Sequence, residues 1–288
     1  MRKSGIIFVL FIITANLFCL SEAGQDQQKS PTLDFNTFLM RATVLIRGEG
    51  SQGTAFFVGR PRPKEPEKLR YTLVTAAHVL EKMQGEIATL FFRRETGPGK
   101  WDQLPLPLKI RDGKHILWTK HPEVDIAVMY IGVPEDASTL LISQNMLGDD
   151  TLLAKYEVHP GDELRVLGYP FGLGTGQGLF PVLRSGRIAS YPLLPTRTTK
   201  TFLLDFPVFP GNSGGPVYID FTGARIYGGA IMQGTAFRFI MGLVSKEQRL
   251  TEKVQEFYAT REQSYSLGLA EVIHASLIKE TIELLPLP

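Results

Sequence analysis

From Ala42 onward the chain alternates short apolar, β-branched or aromatic runs with clusters of glycine, proline and charge. That is the pattern of strands joined by turns. Six such runs fall at Ala42–Arg47, Gly53–Val58, Tyr71–Thr75, Ile87–Arg93, Leu104–Ile110 and Asp125–Ile131. A polar linker around Asp149 and Asp150 follows. Six more runs then fall at Glu163–Tyr169, Pro181–Ile188, Thr201–Pro207, Pro216–Ile219, Arg225–Gln233 and Tyr265–Ala270. Two sets of six, with few helices between them, predict an all-β chain of two antiparallel barrels rather than a βαβ sheet. Within Glu271–Leu285, Val272, Ala275, Ile278 and Ile282 recur at helical spacing, which predicts a closing helix.

The N-terminus breaks this pattern. Arg2 and Lys3 precede an almost uninterrupted apolar stretch, Gly5 to Leu20, and Ser21-Glu22-Ala23 offers small residues where a signal peptidase reads. The stretch is short for a membrane span, which needs about 20 apolar residues. A signal peptide over 1–23, cleaved after Ala23, is the expectation. An uncleaved anchor is the rival, and lipid attachment at Cys19 is disfavoured by the bulky Phe18 before it. Residues 24–34 read as a polar, disordered spacer.

Composition changes the picture in two ways. Net charge is +2, with 43% hydrophobic and 21% charged residues, so bulk electrostatics call for neither nucleic acid nor an anionic membrane. The mixed charges of Arg60–Arg70 read as a solvated loop. Cys19 is the only cysteine, so the cleaved chain has no disulfide, no thiolate metal site and no cysteine nucleophile. An exported domain without disulfides fits a bacterial envelope, so a secreted or periplasmic location is expected, with no stable membrane insertion after signal cleavage.

Three segments carry candidate chemistry. Leu73-Val74-Thr75-Ala76-Ala77-His78-Val79 ends a β run in small residues and a histidine; alone, such a histidine is more often packed than catalytic. Val124-Asp125-Ile126-Ala127-Val128 opens an apolar strand with an acid, which needs a partner if buried; a strand-end cap is the plain alternative. Pro210-Gly211-Asn212-Ser213-Gly214-Gly215-Pro216 is far more specific, because glycines let a serine sit on a tight, exposed turn where N–H groups converge. Serine is a weak nucleophile that needs a histidine to take its proton, and the histidine needs a carboxylate to fix its tautomer. His78, Asp125 and Ser213 are therefore the candidate triad, with the Gly211 and Ser213 N–H groups as oxyanion donors.

The order His, Asp, Ser, the Thr-Ala-Ala-His segment and Gly-Asn-Ser-Gly-Gly-Pro resemble the chymotrypsin/trypsin superfamily of serine proteases. Leu167-Gly168-Tyr169-Pro170-Phe171-Gly172-Leu173-Gly174 and Ser185-Gly186-Arg187-Ile188-Ala189-Ser190 are most similar to its disulfide-free bacterial HtrA/Deg branch. The resemblance implies a serine endopeptidase with protein or peptide substrates, no cofactor and no metal. It also implies a protease domain over 35–288, with barrels at about 35–135 and about 160–271 and a helix at about 271–285. Two departures stand out. Asn212 occupies the position where digestive relatives carry an aspartate that pairs with a new N-terminus, so that activation switch is not expected. The residues after the last strand are too few for the PDZ domain that HtrA relatives carry there.

The resemblance also implies a specificity pocket. Its floor is expected from Pro207, Val208 and Phe209, and its walls from Met232–Gly234 and Gly268–Ala270. The uncharged floor predicts an uncharged residue before the scissile bond. Gly172–Gly178 lacks the ending of a phosphate loop and reads as a mobile loop beside the site. His115, His121, His159 and His274 read as surface or structural residues. Finally, Thr235 to Ser264 is long for a hairpin connection. Its apolar first half and a predicted helix carrying Leu250, Val254, Phe257 and Tyr258 on one face suggest a helical flap over the cleft. A packed ornament on the second barrel, or a surface for a partner or second copy, are the alternatives.

Overall fold

The structure, a computed structural model, describes residues 33–255 and 260–287. The expected signal peptide and all but the end of the spacer lie outside these residues. Helix α1 (Phe35–Ala42) starts at Asp34, whose carboxylate accepts the Thr37 N–H at 3.0 Å and so caps the first turn.

Ten strands follow: β1 (Thr43–Glu49), β2 (Ser51–Arg62), β3 (Glu65–Thr75), β4 (Gln84–Gly97), β5 (Lys100–Lys109), β6 (Arg111–Asp112), β7 (His115–Ile116), β8 (Thr119–Lys120), β9 (Ala127–Tyr130) and β10 (Ile142–Ser143). Helix α2 (Ala77–Glu81) interrupts them after β3. The main sheet runs β5-β4-β1-β2-β3-β9-β8, with β10 joined to β2 in parallel. β1 to β5 and β9 are the six strands the sequence predicts; the short β8 and β10 extend the sheet, and β6 pairs with β7 apart from it. Arg60–Arg70 is no separate loop: it forms the outer end of the β2–β3 hairpin.

Helix α3 (Asp150–Lys155) leads to the second unit: β11 (Glu163–Gly168), β12 (Val182–Ile188), β13 (Thr201–Asp205), β14 (Pro216–Tyr227), β15 (Ala230–Gln255) and β16 (Thr260–His274). These close as a barrel in the order β11-β12-β13-β16-β15-β14. The chain is thus all-β in the chymotrypsin-like manner, with helix α4 (Ala275–Glu283) at its end. The helix is shorter than expected, because Glu271–His274 still pair as strand with β13 and β15.

The largest departure lies between residues 225 and 264. Arg225–Gln233 is not one strand but the turn between β14 and β15, with Gly228 and Gly229 at its tip in left-handed backbone. No helix forms in the described part of 235–264; β15 runs through it and pairs with β16 as a long hairpin. Phe237–Val244 is part of a barrel strand, buried on both faces from Phe239 onward, with Arg238 exposed. Phe237, Phe239, Met241 and Val244 enter the second core, while Ile240 and Leu243 enter the first. A strand buried on both faces reads as a continuous apolar run, which periodicity alone cannot tell from a buried helix. Val254, Phe257 and Tyr258 of the predicted helical face have side chains outside the described residues.

The first sheet, eight paired strands in an open path rather than a closed six-stranded barrel, stands as the first barrel and shares packing with the closed second barrel. Leu167, Tyr218 and Ile273 of the second join the first core, as do Ala275, Leu277, Ile278 and Ile282 of α4. Arg60 fastens the helix end by donating to the Leu285 carbonyl at 3.0 Å.

Candidate active site

The cleft between the barrels is built from loop ends that each core fixes. In the first barrel, β3 ends at Thr75 and α2 carries His78 one turn later. The next loop turns on His121, which is buried and accepts the N–H groups of Glu123 at 3.0 Å and Val124 at 3.2 Å on its Nδ1. That loop delivers Asp125 beneath His78. One carboxylate oxygen accepts the His78 backbone N–H at 2.8 Å, and the other lies 2.6 Å from His78 Nδ1. An ionised carboxylate only accepts, so Nδ1 is the donor, and in the neutral ring Nε2 is then the accepting nitrogen.

From the second barrel Ser245, a residue not singled out in the sequence, completes the contact. Its hydroxyl donates to the same Asp125 oxygen at 2.8 Å. Burial pushes the Asp125 carboxyl up, but the hydrogen bond and charge of His78, with the N–H and Ser245 donors, outweigh it. The net result lies below the usual carboxylate range.

Ser213 sits on the turn before β14. Its hydroxyl donates to the Ser245 carbonyl at 2.9 Å. It also lines, with His78 and Gly211, a cavity of about 570 Å³. The turn is locked to the first barrel: Thr54 N–H donates to the Ser213 carbonyl at 2.9 Å, and Thr54 Oγ1 donates to the Gly211 carbonyl at 2.7 Å. Gly211 has φ +101°, and a Cβ there would run into the Tyr169 carbonyl oxygen. A Cβ at Gly214, φ +85°, would strike the Thr54 carbonyl. Among the described residues, the Gly211 and Ser213 N–H groups donate to no acceptor.

Asn212 is buried, and its side-chain carbonyl accepts the Phe209 N–H at 2.9 Å. The amide thus fixes the turn internally, where digestive relatives use an ion pair.

The remaining predicted residues fall differently. Met232 pairs with Arg225 near the exposed tip of the β14–β15 hairpin, and Gly234 lies beside it. Neither reaches Ser213, because the barrel part of β15 begins near Phe237. Along the strand, Ser245 stands roughly 40 Å of path beyond Met232. The part of β15 beside the Ser213 turn is Val244–Ser245, where the Gly214 N–H donates to the Val244 carbonyl at 2.7 Å, and the strand continues through Ser245–Gln248 paired with Leu269–Glu271. Gly268 lies at the end of that pairing, its carbonyl accepting the Phe206 N–H at 3.0 Å. Of the floor residues, Val208 is buried in the second core, and Pro207 is exposed with its carbonyl accepting from Arg184 at 2.9 Å. Phe209 turns toward Phe171, ring centroids 5.4 Å apart.

The glycine-rich segment expected to be mobile is held at its Gly178 end by a buried arginine. Arg93 donates to the carbonyls of Gly178 at 3.3 Å and Met40 at 2.6 Å, and to Tyr169 Oη at 3.0 Å, with the Phe180 ring 4.6 Å away. Burial drives the Arg93 pKa down and pushes Tyr169 up to about 12. His274 is buried, while His115 and His159 are exposed.

Two barrels that bring a histidine–carboxylate pair against a serine turn define the serine hydrolase class of site. Residues 53–226 match the family model of the trypsin-like peptidase domain, and the chain belongs to that family, the serine endopeptidases. A search of curated proteins finds no match. Among solved structures, the chain is similar to an inactive form of a serine-to-alanine mutant of Rv3671c from M. tuberculosis H37Rv. The two are 17% identical, with 85% of this chain and 86% of that chain covered and a TM-score of 0.43.

Proposed function

We propose that this serine endopeptidase is exported and cleaves peptide bonds through an acyl-enzyme on Ser213. Ser213 Oγ attacks the scissile carbonyl and passes its proton to His78 Nε2. Asp125 stabilises the resulting imidazolium, and the Gly211 and Ser213 N–H groups hold the oxyanion. His78 then protonates the leaving amine, and water, activated by the same base, releases the acyl group. The observation that carries this reading is the relay from His78 through Asp125 and Ser245 to Ser213, which crosses from one barrel to the other. In the resting site the Ser213 hydroxyl points at the Ser245 carbonyl, so attack requires it to turn toward His78, and such contacts commonly tighten only when substrate binds.

The acyl side of the substrate runs along Ser245–Gln248, and the residue before the bond is uncharged. Pro207, Val208 and Phe209 carry no charge, and the wall carboxylate of Glu247 is already held by Arg249 at 2.7 Å. Export rests on the N-terminal segment and places the mature enzyme in the periplasm or outside the cell. Cleavage of a peptide library by the purified mature chain tests the reading against small esters as rival substrates. Peptide hydrolysis that vanishes in Ser213→Ala supports it; ester hydrolysis alone would refute it.

A further inference from the structure

The two cavities that meet at His78 differ in charge. Lys82 lines both; in the larger, about 690 Å³ and on the Asp125–Ser245 side, the three other lysines are each matched by a glutamate. Lys120 pairs with Glu81 at 2.6 Å, Lys200 with Glu123 at 3.1 Å and Lys246 with Glu271 at 3.6 Å. The cavity that holds Ser213 and Gly211 is lined by two cations, Arg47 and Lys82, and by no carboxylate. Among the described residues neither cation forms an ion pair. Arg47 is also held in place: its Nε donates to Gln52 Oε1 at 3.1 Å, and its guanidinium lies 5.3 Å from the Phe91 ring. A positioned guanidinium loses little freedom on meeting a carboxylate, which its planar fork suits.

We infer that Arg47 and Lys82 select an acidic residue on the leaving-group side of the scissile bond. This rests on the peptidase reading above and names its substrate class. Ser245–Gln248, which takes the acyl side, does not line this cavity, so the chain beyond the bond enters it. A substrate carboxylate arriving there meets two unmatched positive charges and displaces no protein carboxylate. Seating of the peptide excludes water and strengthens the attraction, while salt screens it.

The test measures kcat/KM on peptide pairs differing only by aspartate or asparagine at the first or second position beyond the cleaved bond. Each pair is run with wild type, Arg47→Gln/Lys82→Gln and the charge-retaining Arg47→Lys/Lys82→Arg. The ratio within each enzyme is the readout, so a general loss of activity does not affect it. Wild type should favour aspartate at one of these positions by about fivefold or more at low salt, and 0.5 M NaCl should shrink the ratio. The neutral double variant should bring it to about one, and the charge-retaining variant should keep it. A ratio near one in wild type, or a preference surviving neutralisation, overturns the inference while leaving peptidase activity intact. A wild type that hydrolyses neither member of any pair, and none of a wider library, refutes the peptidase reading and this inference with it.

Discussion

Ser213 and Ser245 are joined by a 2.9 Å hydrogen bond from the hydroxyl of the first to the carbonyl of the second, and the Ser245 hydroxyl in turn donates to Asp125 at 2.8 Å. Both serines belong to the second barrel, whereas Asp125 and His78 belong to the first. The bond pair therefore registers one half of the fold against the other at the candidate active site. Ser245→Ala should remove one donor to a partly buried carboxylate, at a cost of about 1 kcal/mol in stability. The Asp125 pKa should then move up. A depressed carboxyl stabilises the fold above its unfolded pKa and loses that contribution as pH falls through its folded value, so the variant should begin to unfold at higher pH. Acid denaturation followed by fluorescence measures this; an unchanged midpoint would argue against the contact.

Asp125→Asn should lower kcat about 10⁴-fold, because an amide favours the wrong imidazole tautomer. Peptidase kinetics on the folded variant check it. A loss below tenfold would mean that another group orients His78.

His274 should make stability fall with acid. Burial lowers its pKa from 6.5 to about 4, and its Nε2 has no hydrogen-bond partner. The unfolded chain takes up the proton first, so stability is full above pH 6.5 and declines as pH drops toward about 4, by about 3 kcal/mol. Urea titrations at stepped pH should show this slope, and His274→Phe should flatten it.

Phe237→Ala should destabilise by about 3–5 kcal/mol, since the ring stacks on Tyr156 at 4.3 Å and lies within the second core. Met232→Ala, at the exposed hairpin tip, should change stability by less than about 0.5 kcal/mol. Equal effects would contradict the barrel assignment of β15.

Arg93→Met should cost about 3–5 kcal/mol, because the carbonyls of Met40, Thr43 and Gly178 lose a buried donor. Hydrogen exchange should then rise across 174–180 before it rises in the barrels.

These contrasts mark what the sequence could reveal. The convergence of His78, Asp125 and the Gly211–Gly215 turn could be anticipated because nucleophilic chemistry would demand those residue types beside glycine, and eleven of the twelve expected strands follow short apolar runs bounded by turns. β15 was not legible: burial on both faces erases alternation, and its polar extension, Glu247 to Lys253, matches a helical period as well as a solvated hairpin. The specificity wall slipped with it. Ser245 left one local signal, a serine ending the buried run Ile240–Val244, but only the barrel closure places it beside Asp125. Arg93 resembled a surface cation at a strand end, and its partners come from segments 50 to 90 residues away in sequence.

The proposed mechanism makes Ser213 a nucleophile activated by His78. Reaction of the purified mature chain with a fluorophosphonate tests it most directly, since attack forms an Oγ–phosphorus bond and expels fluoride only from an activated serine. Peptide mapping by mass spectrometry should find one adduct, on Ser213, that is lost in Ser213→Ala and forms far more slowly in Asp125→Asn. A folded wild type that takes no adduct, or takes it on another serine, would contradict the account.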